Sequence, residues 1–327
     1  MNSRSFPIPN DGKEINRRQV LQGFAGATAL GVLTALTQTS CASTAGGRAK
    51  AVANGRIKQS IAHWCFEAFG DKWTIEEMCR VANDLGCKSV ELVSAKHYPI
   101  LKKYGLTNAI VQIDMGAYPP FAKGLNNPIH HPEIIKATTT AIDAAAEYGF
   151  PNVICFNGYS SRDVDNPKGE QISSEEGAGN CVKGLKELIG YAEKKKVNLC
   201  MEILNTRVSS HPMKGHPGYQ GDHVDYCVDI VKKVGSPRMK ILFDVYHIQI
   251  MDGDIISRIH QYKDYIGHVH VAGNPGRNEI DDSQEINYRA VLKALLDVGY
   301  NGYVAHEFIP TRDPYQSLYE AVKLCDV

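Results

Sequence analysis

No Cys-x-x-Cys pair occurs in this chain although it carries nine cysteines, so thiolate zinc ribbons and thioredoxin-type redox motifs drop out. The nine are an odd number, scattered and set mostly inside apolar segments, as at Cys65, Cys155, Cys200 and Cys227. That pattern fits buried free thiols better than a disulfide framework. Net charge is lacking too: 36 Lys and Arg balance 36 Asp and Glu, which leaves no basic footprint for nucleic acid or an anionic membrane surface. No glycine-rich phosphate loop follows the first apolar run, which argues against a dinucleotide-binding sheet. No apolar run is long enough to stay in a bilayer as a spanning anchor.

The N-terminus carries an address. Asn16-Arg17-Arg18-Gln19-Val20-Leu21-Gln22 is a twin-arginine pattern, followed over residues 24–36 by a short, weakly apolar stretch broken by Gly and Thr. This is the layout of a cleaved export signal. We read residues 1–45 as the signal, 46–56 as a small, polar linker, and 57–327 as one domain. The expected location is the periplasm. Cys41, after Gln38-Thr39-Ser40, loosely resembles a lipoprotein processing site, with Gln38 where an aliphatic residue belongs, so a lipid anchor there is a second expectation. Export by this route follows folding in the cytoplasm, which would allow metal loading and reduced cysteines.

From residue 57 onward, short apolar runs alternate with longer amphipathic segments. Strands are expected over 60–65, 89–92, 109–113, 153–156, 198–202, 240–244, 267–271 and 303–308. Helices are expected after Thr74, which with Glu77 forms a capping-box pattern, and over 132–148, 175–195, 223–234, 255–262, 288–298 and 315–324, with a short one over 98–104. Glycines at 86, 105, 149, 235 and 299 stand where helix C-caps favour them. Eight strand–helix units in this order predict an α/β fold, a single (β/α)8 TIM barrel.

Four polar residues sit at the ends of four of these runs: Glu202 in VNLCMEILN, Asp244 in KILFDVYH, His270 in IGHVHVAG and Glu307 in GYVAHEF. An ionised carboxylate beside apolar neighbours costs several kcal/mol unless something compensates it. Three carboxylates and an imidazole at one end of a barrel would suit one divalent cation, Mn²⁺ first, with Co²⁺, Mg²⁺ or Zn²⁺ as alternatives.

The chain resembles the xylose isomerase-like TIM-barrel superfamily, and within it the hydroxypyruvate isomerase-like branch. The resemblance rests on His63-Trp64-Cys65-Phe66 with Trp73-Thr74-Ile75-Glu76-Glu77, on Lys88-Ser89-Val90-Glu91-Leu92, on Met201-Glu202-Ile203-Leu204-Asn205-Thr206-Arg207, and on Phe243-Asp244-Val245-Tyr246-His247-Ile248-Gln249. His268-Val269-His270-Val271-Ala272, Asn274-Pro275-Gly276-Arg277 and Glu285-Ile286-Asn287-Tyr288 complete it. It implies that Glu202, Asp244, His270 and Glu307 hold the metal. The hydroxypyruvate branch typically has Gln at the position of His270, whereas ketose 3-epimerases of the superfamily have His.

Such a site would isomerise or epimerise a small hydroxy-keto acid or sugar through an enediolate, with Glu202 and Glu307 moving the proton. His247, Arg277, His63, Trp64 and Asn205 are the expected substrate-binding residues. Glu91 is placed as a supporting residue or a cap on the barrel base. His268 is placed as structural or supporting, facing away from His270. His211 and His216, in a Pro- and Gly-rich candidate lid, are set aside as ligands because an irregular loop is a poor scaffold for a metal. Alternatives are a lyase or hydratase of a 3-keto sugar or glycoside, which export would suit, and a non-catalytic sugar-binding barrel. Expected partners are a small sugar or hydroxy-keto acid and, for the oligomer, a second copy of the chain. Neither nucleic acid nor an integral membrane domain in the mature form is expected.

Overall fold

The computed structural model describes residues 50–210 and 212–327. The expected signal, Cys41 and His211 lie outside them. In chain order the elements are β1 (Lys58–Ala62), α1 (His63–Ala68), α2 (Ile75–Leu85), β2 (Ser89–Glu91), α3 (Tyr98–Lys103), α4 (His131–Tyr148) and β3 (Asn152–Cys155). There follow α5 (Ser174–Lys195), β4 (Asn198–Glu202), α6 (Val224–Val234), β5 (Met239–Asp244), α7 (Val245–Met251), α8 (Ile255–Tyr262), β6 (Ile266–Val271), α9 (Tyr288–Asp297), β7 (Tyr303–His306) and α10 (Pro314–Cys325).

The seven strands form one sheet in the order β2-β1-β7-β6-β5-β4-β3, every pair parallel. The strands are buried nearly throughout, as a sheet covered on both faces requires. The curled parallel sheet with alternating helices is an α/β TIM barrel. The expected strand over 109–113 is not a regular one. That segment bridges the gap between β2 and β3 through isolated contacts, Ser89 to Thr107 and Val111 to Val153. The ladder is interrupted because side chains replace backbone partners. Ser89 Oγ accepts from Ala109 N at 2.9 Å, and Asn152 Nδ2 donates to Ala109 O at 2.8 Å.

A second difference lies at the first strand. It ends at Ala62, and the expected continuation through Cys65 turns into α1, so His63 and Trp64 open a helix at the mouth. Phe66 on that helix stacks on Trp73 and meets Phe308 edge-on, each with ring centroids 5.5 Å apart. Packing of this short apolar turn under the mouth explains why it is not extended. The Thr74–Glu77 capping box forms as the sequence indicates: Thr74 N donates to Glu77 Oε2 at 2.8 Å and Glu77 N to Thr74 Oγ1 at 3.3 Å.

Where the ring closes, β1 pairs with β7 from Lys58 opposite Tyr303 to Ile61 opposite His306. Just before β1, the backbone N–H groups of Ala53, Asn54 and Gly55 donate to the carboxylate of Asp326, which follows α10, at 2.6, 2.6 and 2.8 Å.

Candidate active site

Strand ends deliver the polar cluster. Glu202 closes β4, Asp244 closes β5, His270 is the penultimate residue of β6, and Glu307 follows β7 directly. All four are buried, and one donor atom from each lies within 4.8 Å of the others. From His270 Nδ1, Glu307 Oε2 is 2.8 Å away, Glu202 Oε1 3.5 Å and Asp244 Oδ2 3.9 Å. Bonds of about 2.0–2.6 Å to one ion place neighbouring donors roughly 3–4 Å apart. The spacing therefore fits a single divalent cation. His270 Nδ1 faces these three carboxylates, while its Nε2 lies 2.9 Å from Glu91 Oε1. An imidazole held from behind by a carboxylate with its other nitrogen turned toward the remaining donors is how metal-binding histidines are oriented.

Glu91 ends β2, so it stands at the mouth and does not cap the barrel base. Its Oε1 also lies 2.8 Å from His268 Nε2. His268 therefore does not face away from His270. Strand side chains repeat every two residues, so positions 268 and 270 share a face, and the two rings meet edge-on with centroids 5.0 Å apart. Burial alone would raise the Glu91 pKa, but the two imidazoles bring it down to about 2.

The electrostatics of the cluster are those of a site built for positive charge. Burial, with the charge of Glu307, raises the pKa of Glu202. Burial pushes Asp244 up to about 7 despite Arg277 nearby. Glu307 is also desolvated, yet Arg277 and His270 hold it well below the usual carboxylate range. Burial disfavours charge on His270, but Glu307, Glu202 and Glu91 raise its pKa well above the usual value. Without a cation, protons and the Arg277 guanidinium thus supply the compensating charge.

Arg277 is buried and sits at φ 56°, uncommon for a residue with a side chain. Its Nη2 donates to Glu307 Oε2 at 2.5 Å and lies 3.7 Å from Asp244 Oδ2. Its Nη1 donates to Met213 O in the loop after β4. The guanidinium stands 5.2 Å from the Trp64 ring centroid. Trp64 Nε1 donates to Glu307 Oε1 at 2.8 Å, so both oxygens of Glu307 are engaged. His63 faces Glu67, with Nδ1 to Oε2 at 3.4 Å, and lines a cleft of about 830 Å³ together with Trp64.

His247 belongs to the first turn of α7 and not to a loop, because Asp244 caps that helix by accepting from His247 N at 3.1 Å. Asn205 N donates to His247 Nδ1 at 3.0 Å, which leaves the proton on Nε2, an atom without a partner 3.7 Å from Asp244 Oδ2. Burial first, then Arg277, keeps this imidazole neutral. Asn205 itself is not free to bind substrate. Its Nδ2 donates to Lys214 O at 2.8 Å and approaches His247 Nδ1 at 2.6 Å, and its Oδ1 accepts from Val208 N at 3.1 Å. It organises the loop. The sequence reading missed Tyr246, whose hydroxyl donates to Lys214 O at 2.8 Å, and Phe121, which packs on His216. Tyr246 lies within the Asp244–His247 motif, which could have flagged it; Phe121 lies in a loop without a motif.

Residues 79–325 match the family model for the xylose isomerase-like TIM barrel. The chain is similar to a putative hydroxypyruvate isomerase of Homo sapiens, 31% identical over 137 residues, which are 42% of this chain and 47% of that protein. It thus spans about half the length of that relative. A 2-oxo-tetronate isomerase of Pectobacterium atrosepticum is 26% identical over 238 residues, 71% of this chain and 85% of its own. Among solved structures, an AP endonuclease, family 2, from Brucella melitensis superposes with a TM-score of 0.67 at 22% identity, covering 80% of this chain and 97% of that one. The family match runs over well more than half of the sequence, and the chain belongs to the xylose isomerase-like TIM barrel family.

Proposed function

We propose that this protein is a divalent-metal-dependent isomerase or epimerase of a small hydroxy-keto acid or ketose. The observation that carries the reading is the convergence of Glu202, Asp244, His270 and Glu307 within 4.8 Å at the strand ends. Similarity to hydroxypyruvate and 2-oxo-tetronate isomerases supports it. These four residues would hold the ion, Mn²⁺ by preference for a set rich in carboxylate oxygens. Once bound, it would supply Lewis-acid stabilisation of charge developing on substrate oxygens.

The protein's own groups divide the remaining work. Glu202, whose pKa is raised by burial, is suited to pass a proton to and from the carbon beside the carbonyl. Glu307 is kept anionic by Arg277 and fixed by Trp64, which suits it to act as the complementary carboxylate. Two carboxylates pushed apart in pKa are the usual arrangement of an acid and base pair. His247 presents a neutral Nε2–H that can donate to a substrate oxygen, and Arg277 can bind a carboxylate or hydroxyl.

The reading is tested by assaying hydroxypyruvate and free ketoses with Mn²⁺, Co²⁺ and Mg²⁺ in deuterated water. Product carrying deuterium beside the carbonyl is expected. Failure to convert any of them with any metal would refute the reading. We further propose that residues 1–45 export the protein to the periplasm. Changing Arg17 and Arg18 together to Lys should then leave it in the cytoplasm by fractionation; unimpaired export of that variant would refute the route.

A further inference from the structure

One buried histidine beside the cluster is not used by this reaction. The loop after β4 turns back over the mouth and brings in His216, only 3% exposed. Its ring meets Phe121 edge-on at 4.4 Å between centroids and lies 5.7 Å from the ring of His247. Among the described residues no hydrogen bond reaches either ring nitrogen of His216, and neither nitrogen is among the atoms wholly cut off from solvent. An imidazole that is enclosed as a residue, has reachable nitrogens and is engaged by no protein group can donate to or accept from a ligand hydroxyl.

The loop that carries it is firmly placed, contrary to the expectation from its Pro and Gly content. His216 N donates to Asn205 O at 2.7 Å. Lys214 O accepts from both Asn205 Nδ2 and Tyr246 Oη, each at 2.8 Å. At Gly215 a Cβ would fall 2.2 Å from Val208 O and 2.5 Å from Asn205 Oδ1, so the turn before His216 admits only glycine. Arg277 and Glu307 are near enough to act on the imidazole electrostatically.

We infer that His216 recognises the substrate, binding a hydroxyl on the part of the molecule beyond the carbons that react, with Phe121 packed beside it against a C–H face. The inference rests on the isomerase or epimerase reading and narrows it to polyhydroxylated keto compounds of four or more carbons. In hydroxypyruvate the carbonyl and the single hydroxyl are the reacting oxygens, and the carboxylate is left for Arg277. No hydroxyl remains for His216.

The test is a chain-length series on the Mn²⁺-saturated full chain: hydroxypyruvate, a four-carbon 2-oxo-3,4-dihydroxy acid, a ketopentose and a ketohexose. His216→Phe keeps an aromatic ring at the position and removes both nitrogens. It should lower kcat/KM for the longer compounds roughly three- to tenfold, the worth of one neutral hydrogen bond, chiefly through KM. Hydroxypyruvate should change less than about twofold, and His216→Gln should recover part of the loss. Equal losses across the series with unchanged Mn²⁺ affinity would make His216 a packing residue and overturn the inference. If the wild type converts nothing, the reaction reading falls. Calorimetric titration of the same compounds then judges His216 alone: weaker binding of only the longer ones to the Phe variant supports it, and equal or absent binding overturns it. Should the Phe variant not fold, the Gln variant is read in its place, with a smaller but same-signed loss.

Discussion

Glu91 is one carboxylate serving two imidazoles, and its removal is the most informative single-residue test of the cluster's design. Glu91→Ala leaves His268 and His270 without their Nε2 acceptor, and loss of such a support typically weakens metal binding 10–100-fold. Calorimetric titration with Mn²⁺ should show that drop; an unchanged affinity would mean the strand alone orients His270. Glu202→Gln and Glu307→Gln should still bind Mn²⁺ in excess but turn over at least about a hundredfold more slowly, because an amide cannot accept a proton. A near-normal rate for either would leave that residue only a ligand. At this scale the residue types and their places at the ends of apolar runs were legible in the sequence. What Glu91 touches was not, since its partners lie 177 and 179 residues away. Nor was the Trp64 bond to Glu307, across 243 residues. The orientation of His268 was readable from period-two alternation, and the misplacement came from misapplying that rule.

Among the elements, the loop after β4 departs furthest from expectation. Periodicity and Pro–Gly content identify a loop, but its rigidity comes from Asn205, Tyr246 and Arg277, which reach it from other segments. Asn205→Ala removes the acceptor of Val208 N and the donor to Lys214 O together. Limited proteolysis should then cut within residues 206–218 at least several-fold faster, and KM should rise while the thermal midpoint changes little. An unchanged digestion pattern would show that the other two anchors suffice. The third expected strand failed for a related reason: Ser89 and Asn152 offer side-chain bonds that a periodicity reading of 109–113 cannot see. The helices fared better, because capping signals such as Thr74 with Glu77 act within four residues.

For the whole molecule, the buried imidazoles outside the cluster set its tolerance of acid. His306 is fully buried, with Nε2 2.8 Å from Gln59 Oε1, and burial lowers its pKa from 6.5 to about 4. A histidine depressed on folding contributes stability above its unfolded pKa and loses it as pH falls through the folded value. Stability should therefore decline between pH 6.5 and about 4, by on the order of 3 kcal/mol from this residue. Calorimetric unfolding across that range should show a shallower decline for His306→Gln, and identical slopes would assign the acid sensitivity elsewhere. The alternation that revealed the barrel says nothing of how the ring is shut, which happens between distant parts of the chain. β1 finds its second neighbour only when β7 appears, and the Asp326 carboxylate holds residues 53–55. During synthesis at about 5–20 residues per second, β1 would wait on the order of 10–50 s for that partner. Through that interval both β1 and, once made, β6 lack the strand that joins them, so the time the nascent chain needs protection from self-association is set by translation itself.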